Sequence, residues 1–254
     1  MTDPPELVGR ERELGLLGAQ LDAMRASDGS AVFFSGEPGS GKTALLTAAE
    51  RRAHGCAVIG CRGVEWEAEL PFSGLHELVR PLLHLLPALP DPQRDALSGA
   101  LGLTQTADVP VLHLYAGALS LLIEASADRP LLVIADDLQW IDSGTTQVLS
   151  FIARRLAGER LGLLLATRPG TVLPGLPDPV QHLEPLDRVS IAELAARHLG
   201  RPLPDDAIAD LTAASGGNPL AVVESVAHVG DGLWFRGSGL DEPLPVGDLI
   251  ERGF

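Results

Sequence analysis

Lysine, cysteine and aromatic residues are scarce in this 254-residue sequence. Aromatic side chains make up 4% of it, and among its 19 basic residues lysine occurs only once, at Lys42. The two cysteines, Cys56 and Cys61, point to opposite faces of a predicted strand, and no histidine has ligand spacing to them. We therefore expect neither an intrachain disulfide nor a zinc site. The solitary lysine marks a position where a compact ammonium group is needed.

Long apolar runs are also missing. The longest apolar stretch, residues 111–123, contains His113 and falls short of the ~20 residues that span a bilayer. The first residues lack the basic segment and apolar run of a signal peptide. The sequence therefore predicts a cytoplasmic protein with no membrane partner.

Positive charge is in deficit. Lys and Arg total 19 against 34 Asp and Glu, which gives a formal net charge of −15. Such a surface repels phosphate backbones and anionic lipid, so we expect no direct nucleic-acid binding by this chain. Hydrophobic residues are 45% and charged residues 21%, which is ordinary globular usage and excludes wholesale disorder. The length allows one large domain, or one with a small appendage.

Apolar runs alternate with helical patterns along most of the chain. Because these strands are apolar on both faces, they predict a parallel sheet with helices on both sides. From residue 186 to 229 the pattern is helical only, which indicates a small helical appendage. The predicted strands are residues 31–35, 57–61, 131–135, 161–166 and a short fifth near 180–183.

A glycine-rich segment follows the first predicted strand. Residues 36–43, Gly-Glu-Pro-Gly-Ser-Gly-Lys-Thr, match the phosphate-loop pattern G-x-x-x-x-G-K-[ST]. Glycine-rich backbone can present several N–H groups to phosphate without side-chain clash. We expect Lys42 to bridge the β- and γ-phosphates and the Thr43 hydroxyl to bind Mg²⁺. The competing interpretation is an ordinary strand–helix turn. The candidate nucleotide-binding residues here are Gly36, Gly39, Ser40, Gly41, Lys42 and Thr43.

Two adjacent acids follow the most strand-like run. Asp136 is predicted to bind Mg²⁺ and Asp137 to polarise the attacking water. The alternative is that both begin a loop and one caps a turn. Arg168, at the tip of the next strand, could reach the γ-phosphate, or it could be a solvated loop residue.

With these motifs in place, the chain resembles the ATPase module of STAND-class signalling ATPases, and specifically that of large ATP-binding LuxR-type bacterial regulators. The resemblance covers about residues 8–229. It rests on residues 8–11 (Val-Gly-Arg-Glu), 36–43, 69–72 (Glu-Leu-Pro-Phe), 75–78 (Leu-His-Glu-Leu), 136–142 (Asp-Asp-Leu-Gln-Trp-Ile-Asp), 166–168 (Ala-Thr-Arg) and 216–220 (Gly-Gly-Asn-Pro-Leu).

The resemblance implies an α/β P-loop NTPase of the ASCE type, with a parallel sheet in the order 5-1-4-3-2 and a C-terminal helical lid. It divides the chain into a core (1–184), a lid (185–229) and a tail (230–254) that resembles the start of a truncated winged-helix domain. It places Val8, Gly9 and Arg10 near the adenine and Pro219 against the base. ATP rather than GTP rests mainly on this resemblance, since no Asn-Lys-x-Asp guanine reader was found.

The function we expect is a signalling switch that binds ATP and Mg²⁺ and hydrolyses ATP slowly, with Lys42, Asp137 and Arg168 as the catalytic residues. The resemblance implies that the DNA-reading part of such regulators is not included in these residues, and it predicts either a truncated regulator or a free-standing ATPase. Partners beyond the nucleotide would be a second copy of the chain or a downstream signalling protein. Two alternatives stay open, namely a module that holds ADP or ATP with little turnover, and a P-loop phosphotransferase.

Overall fold

The computed structural model describes residues 7–105, 110–171 and 180–230. Helices and strands alternate along most of this length, as the apolar runs predict. Short 3₁₀ helices occupy Glu65–Glu67, Arg80–Ala88 and Leu138–Trp140. The strands are β1 (Ala31–Ser35), β2 (Ala57–Arg62), β3 (Leu131–Asp136), β4 (Leu161–Thr167) and β5 (Gln181–His182). The α-helices are α1 (Glu11–Arg25), α2 (Lys42–Arg52), α3 (Ser73–Val79), α4 (Asp91–Ala100), α5 (Val111–Ala125), α6 (Ser143–Ala153), α7 (Arg188–Leu199), α8 (Asp205–Ser215) and α9 (Pro219–Gly230).

The five strands form one parallel sheet in the order β2-β3-β4-β1-β5. Read from the other edge this is 5-1-4-3-2, so the predicted fold class is confirmed. Strand β4 is buried at every position, and β3 at all but one, because helices cover both faces of a parallel sheet. The sheet orders the carboxyl ends of β3, β4 and β1 side by side along one edge.

Prolines divide the region between β2 and β3 into helical pieces. Pro87 lies near the end of the second 3₁₀ helix. Pro90 and Pro110 occupy the positions immediately before α4 and α5. Proline ends a helix because it lacks the N–H donor, yet its fixed φ suits the start of the next one.

Chain contacts separate two compact units. The larger comprises Arg12–Ser35 and Leu45–His182, and therefore the whole sheet and helices α3 to α6. Its core is aliphatic, with the Leu and Val side chains of β3 and β4 packed against helix residues such as Leu78, Leu97 and Leu121. Burial of this apolar surface is the dominant stabilising contribution to the unit.

The smaller unit comprises the described parts of Met1–Glu11, Gly36–Ala44 and Leu183–Phe254. Its helices α7, α8 and α9 share an apolar core. Asp187 caps α7 by accepting a hydrogen bond from Ser190 N, and a left-handed Gly200 ends it. The core residues are Leu186, Ile191, Ala195, Leu211, Val222 and Val226.

The predicted boundaries at residues 184/185 and 229/230 stay predictions. Residues 231–254, which hold nearly all of the predicted winged-helix segment, lie outside the described residues. In the described part of the chain, each helix is too short or too polar to cross a bilayer.

Candidate functional site

The glycine-rich segment forms a tight loop between β1 and α2. Gly39 and Gly41 have φ values of +77° and +95°, which side-chain-bearing residues rarely adopt. Ser40 N donates to Glu37 O at 3.1 Å and closes the turn. The helix α2 begins at Lys42, so its first N–H groups lie at the end of the loop, where they lack partners within the helix. This is the strand–loop–helix context that the phosphate-loop pattern requires.

Lys42 folds back across the loop. Its Nζ donates to Gly36 O at 2.7 Å and to Glu37 O at 3.0 Å, and the residue is 7% exposed. The Ser40 hydroxyl is buried and has no hydrogen-bond partner within the described chain. An ammonium group and an unsatisfied hydroxyl in one loop, at a helix N-terminus, are suited to an anion such as phosphate. Thr43, the second residue of α2, is exposed.

The segment predicted to lie near adenine contacts the same loop. Arg10 is buried, and its Nη2 donates to Ser40 O at 3.0 Å while its Nη1 donates to Glu184 O at 2.8 Å. The guanidinium therefore braces the backbone of the phosphate loop. Val8 is buried, and Gly9 has a φ of +65°. Their predicted proximity to the base stays a prediction.

Asn218 joins the start of α9 to the phosphate loop. Its Nδ2 donates to Pro38 O at 2.8 Å, and its Oδ1 accepts from Leu220 N at 3.0 Å. Leu220 N also contacts Gly39 O at 3.2 Å. Sequence reasoning selected the neighbouring Pro219, the first residue of α9, and missed Asn218. The signal was available, since Asn218 is the only asparagine in the chain, just as Lys42 is the only lysine.

In the larger unit, the two predicted acids end β3. Asp136 is the last strand residue and is 6% exposed, and its Oδ1 accepts from Asp137 N at 2.9 Å. Asp137 has a left-handed backbone with φ +51°, which is uncommon for a side-chain-bearing residue. Its Oδ2 accepts from Arg62 Nε at 3.1 Å. Backbone strain of this kind concentrates at functional positions.

Gln139 connects the acids to the tip of β4. Its Nε2 donates to Asp137 Oδ1 at 3.0 Å. Its Oε1 accepts from Thr167 Oγ1 at 3.2 Å and from Arg168 N at 3.1 Å. The Arg168 guanidinium lies 5.9 Å from the centre of the Trp140 ring. One amide side chain therefore ties the candidate water-polarising acid to the strand end that carries Arg168.

Two residues in this arrangement were not singled out from the sequence. Arg62 ends β2, the strand beside β3, and local spacing gives no sign that it reaches Asp137. Gln139 was visible only as part of the quoted Asp-Asp-Leu-Gln-Trp segment. Among the described residues there is no group of three or more His, Cys, Asp or Glu that could hold a metal ion. Mg²⁺ needs no such group, since in nucleotide sites one or two carboxylates with water and phosphate oxygens suffice.

Comparison with known proteins bears on this arrangement. The profile of the AAA ATPase domain matches residues 6–165, more than half of the chain and a span that includes the phosphate loop and both acids. The chain belongs to the AAA ATPase domain family. The match ends within β4, so the helices α7 to α9 lie beyond it. A search of curated proteins finds no match.

Several solved structures have the same fold. Cdc6p from Pyrobaculum aerophilum has a TM-score of 0.54 at 17% identity, over 89% of this chain and 64% of that one. The Drosophila ORC bound to DNA has a TM-score of 0.53 at 15% identity, over 91% and 58%. A STAND protein with a tetratricopeptide repeat sensor from Pyrococcus horikoshii has 0.50 at 18% identity, over 89% and 33%. This chain therefore spans about a third to two thirds of these proteins, and the likeness shows the fold.

Proposed function

We propose that this AAA ATPase domain binds ATP with Mg²⁺ and hydrolyses it slowly, as the switch module of a STAND-type, LuxR-like signalling protein. The phosphate loop carries the proposal, because Lys42, the left-handed glycines and the unsatisfied Ser40 hydroxyl suit a polyphosphate. Family membership supports it. The STAND neighbour and the quoted sequence motifs support the signalling role.

The strand order of the sheet supports roles for Thr43 and Asp136 as Mg²⁺ ligands. The phosphate loop follows β1 in sequence, and Asp136 ends β3, with β4 between the two strands in the sheet. Parallel strands end at one edge, so β1 and β3 end on the same side of the sheet. In the proposal, Thr43 and Asp136 hold Mg²⁺, since hydroxyl and carboxylate oxygens are the ligands it prefers. Bound Mg²⁺ would supply charge neutralisation at the phosphates.

The surroundings of Asp137 support slow turnover. A base that polarises water needs an accessible carboxylate oxygen, yet Oδ2 of Asp137 is engaged by Arg62 and Oδ1 by Gln139. Each oxygen keeps a second lone pair, so an attacking water would have to share the carboxylate with these two donors. The same observation favours a second candidate function, namely a module that holds ADP or ATP with little turnover. Direct DNA binding stays outside the proposal because of the net charge of −15.

Thermal-shift titration with ATP, ADP and GTP, with and without Mg²⁺, tests the proposal. A ligand that binds only the native state at a hundredfold excess over Kd adds about 2.7 kcal/mol of stability. We expect ATP and ADP to raise the melting temperature of the parent chain and Lys42→Ala to abolish the shift. Arg51→Ala, an exposed basic residue on the same helix, is the matched control. An unchanged shift in Lys42→Ala would overturn the phosphate assignment.

The rate of ATP hydrolysis distinguishes the slow ATPase from the module that holds ADP or ATP with little turnover. Asp137→Asn keeps the shape of the side chain and removes the base, so it should slow an active ATPase by about a hundredfold or more. Asp128→Asn, an exposed aspartate before β3, should leave the rate unchanged. Equal rates in the parent and Asp137→Asn would favour the nucleotide-holding module.

A further inference from the structure

An open groove of about 650 Å³ lies in the larger unit, between the first 3₁₀ helix and helices α3 and α4. We call it the acidic groove. Its apolar wall includes Trp66, Leu70, Pro71 and Phe72, and its polar wall includes Glu67 and Glu77. The candidate nucleotide site uses none of these six side chains.

The apolar wall of the acidic groove is unusually open to solvent. Trp66 is 74% exposed and Leu70 is 50% exposed. A contiguous exposed apolar patch framed by polar residues is typical of an interaction site rather than of a free surface. A tryptophan also provides a large, rigid contact surface, and tryptophan is enriched among the residues that dominate binding energy.

The backbone that carries these side chains is held in place by hydrogen bonds. Glu67 N donates to Val64 O at 2.9 Å, and Leu70 N donates to Glu67 O at 2.8 Å. Next to these residues, Phe72 N donates to the carboxylate of Asp142 at 2.9 Å. The groove is therefore preformed, and a partner that enters it need not order this segment.

Charge identifies the kind of partner. In the sequence, Trp66 stands between Glu65 and Glu67, and Glu69 precedes Leu70, so exposed acids alternate with the exposed apolar residues next to the groove. Glu67 and Glu77 line the groove itself, as does His76. Arg62, the arginine that lines the groove, is already paired with Asp137. A cation beside an exposed indole between two carboxylates gains both Coulombic and cation–π attraction.

We propose that the acidic groove binds a segment of a partner protein in which Arg or Lys side chains alternate with apolar ones. The apolar side chains pack on Leu70 and Phe72, and a basic side chain stacks on Trp66 between its flanking glutamates. This inference does not depend on nucleotide binding.

The test uses the full chain and two synthetic peptides of 14 residues that share their leucine positions. One peptide carries arginine at its polar positions and the other glutamate. Fluorescence anisotropy of the labelled peptides gives the affinities at physiological salt, where attraction between exposed charges more than about 8 Å apart is largely screened and close contacts are not. We expect the arginine peptide to bind at least about tenfold more tightly than the glutamate peptide, and Trp66→Ala to weaken it at least about tenfold.

Two triple variants with the same change in net charge distinguish the effect of the groove on peptide affinity from the effect of the overall charge. Glu65→Lys/Glu67→Lys/Glu69→Lys should remove the preference for the arginine peptide. Asp28→Lys/Glu50→Lys/Asp128→Lys changes the net charge equally at exposed positions elsewhere and should leave the affinity within about twofold. Circular dichroism checks that each variant is folded, and Trp66→Phe, which keeps an aromatic face, should retain part of the affinity.

Two results would overturn the proposal. Equal losses in the two triple variants would mean that the peptide senses only net charge. Concentration-dependent self-association that Trp66→Ala abolishes, measured by sedimentation velocity, would assign the groove to a second copy of this chain. Neither result would affect the thermal shift with ATP, so failure here is distinguishable from failure of the proposed function.

Discussion

Gln139 holds one oxygen of the Asp137 carboxylate, with its Nε2 donating to Oδ1 at 3.0 Å. The other end of the same amide accepts hydrogen bonds from Thr167 Oγ1 and Arg168 N. An amide has one donor end and one acceptor end, and each faces the partner that it requires. The orientation of Asp137 is therefore coupled to the carboxyl end of β4.

Gln139→Glu should damage turnover more than nucleotide binding. The new carboxylate can still accept from Arg168 N, but its second oxygen faces Asp137 and repels it. We expect a loss of up to about a hundredfold in kcat, the scale expected for misplaced reacting groups. The repulsion turns the Asp137 carboxylate away from its position, so the loss should exceed that of a variant that only removes the hydrogen bonds.

Two variants control for that experiment. Gln139→Leu removes the hydrogen bonds without adding charge, and it should lower kcat less than Gln139→Glu does. Gln147→Glu adds the same charge at an exposed position on α6, where the glutamine accepts from Tyr115. If Gln139→Glu and Gln147→Glu give the same kcat, Gln139 does not position Asp137.

Asn218 has two roles that two substitutions can separate. Asn218→Ala removes both the cap of α9 and the bond to Pro38 O, and a lost cap costs about 1 kcal/mol. Asn218→Asp keeps the capping oxygen but loses the donor to Pro38 O. We expect both variants to weaken the thermal shift with ATP, and only the alanine variant to lose the full capping energy in urea unfolding.

The matched control for Asn218 is Asp187→Ala. It removes the cap of α7, in which Asp187 accepts from Ser190 N, and does not touch the phosphate loop. Its stability should fall by a similar amount while the ATP response persists. A thermal shift with ATP in Asn218→Asp equal to that of the parent would show that nucleotide binding by the loop does not need the hydrogen bond to Pro38 O.

The sequence predicts features that depend on neighbouring residues, but it does not predict which residues far apart in the chain form hydrogen bonds. The strands, the phosphate loop and the acids after β3 follow from short-range spacing. The sheet order came from the resemblance and is confirmed. The partners of Asp137 and Asn218 could not be predicted, because the Arg62–Asp137 and Asn218–Pro38 bonds join residues 75 and 180 positions apart. Periodicity carries no information about which polar side chains meet across such separations.

Asp142 is the residue whose loss should cost the larger unit most. Its buried carboxylate accepts from Phe72 N, Gly74 N and Thr145 N, and also from Thr145 Oγ1 at 2.6 Å. Asp142→Ala would leave these buried donors without an acceptor, and each donor left unsatisfied costs about 1–3 kcal/mol of stability. We expect a loss above about 3 kcal/mol in urea unfolding.

Substitution of an exposed aspartate provides the comparison for Asp142. Asp128→Ala should change stability by less than about 0.5 kcal/mol. Asp142→Asn retains one acceptor oxygen, so its loss should fall between those of the two alanine variants. A similar small change in all three variants would mean that water replaces the lost carboxylate.

Cys61 should be inert to alkylation in the folded chain. Burial raises the pKa of the Cys61 thiol from 9.0 to about 12, with the negative charges of Glu77 and Asp142 as further causes. The reactive species is the thiolate, so at mildly alkaline pH iodoacetamide should modify Cys56, which is partly exposed, and spare Cys61. Mass spectrometry after timed quenching measures this, and urea should make both thiols reactive.

The same pKa shift predicts how stability responds to alkali. A raised pKa means that the folded chain holds the thiol proton more tightly than the unfolded chain. This contribution is complete below the ordinary value of 9.0 and is lost as the pH rises towards about 12. The difference in free energy of unfolding between the parent and Cys61→Ala should therefore shrink over that interval. A constant difference for Cys61→Ala would mean that the thiol ionises as readily in the folded chain as in the unfolded one.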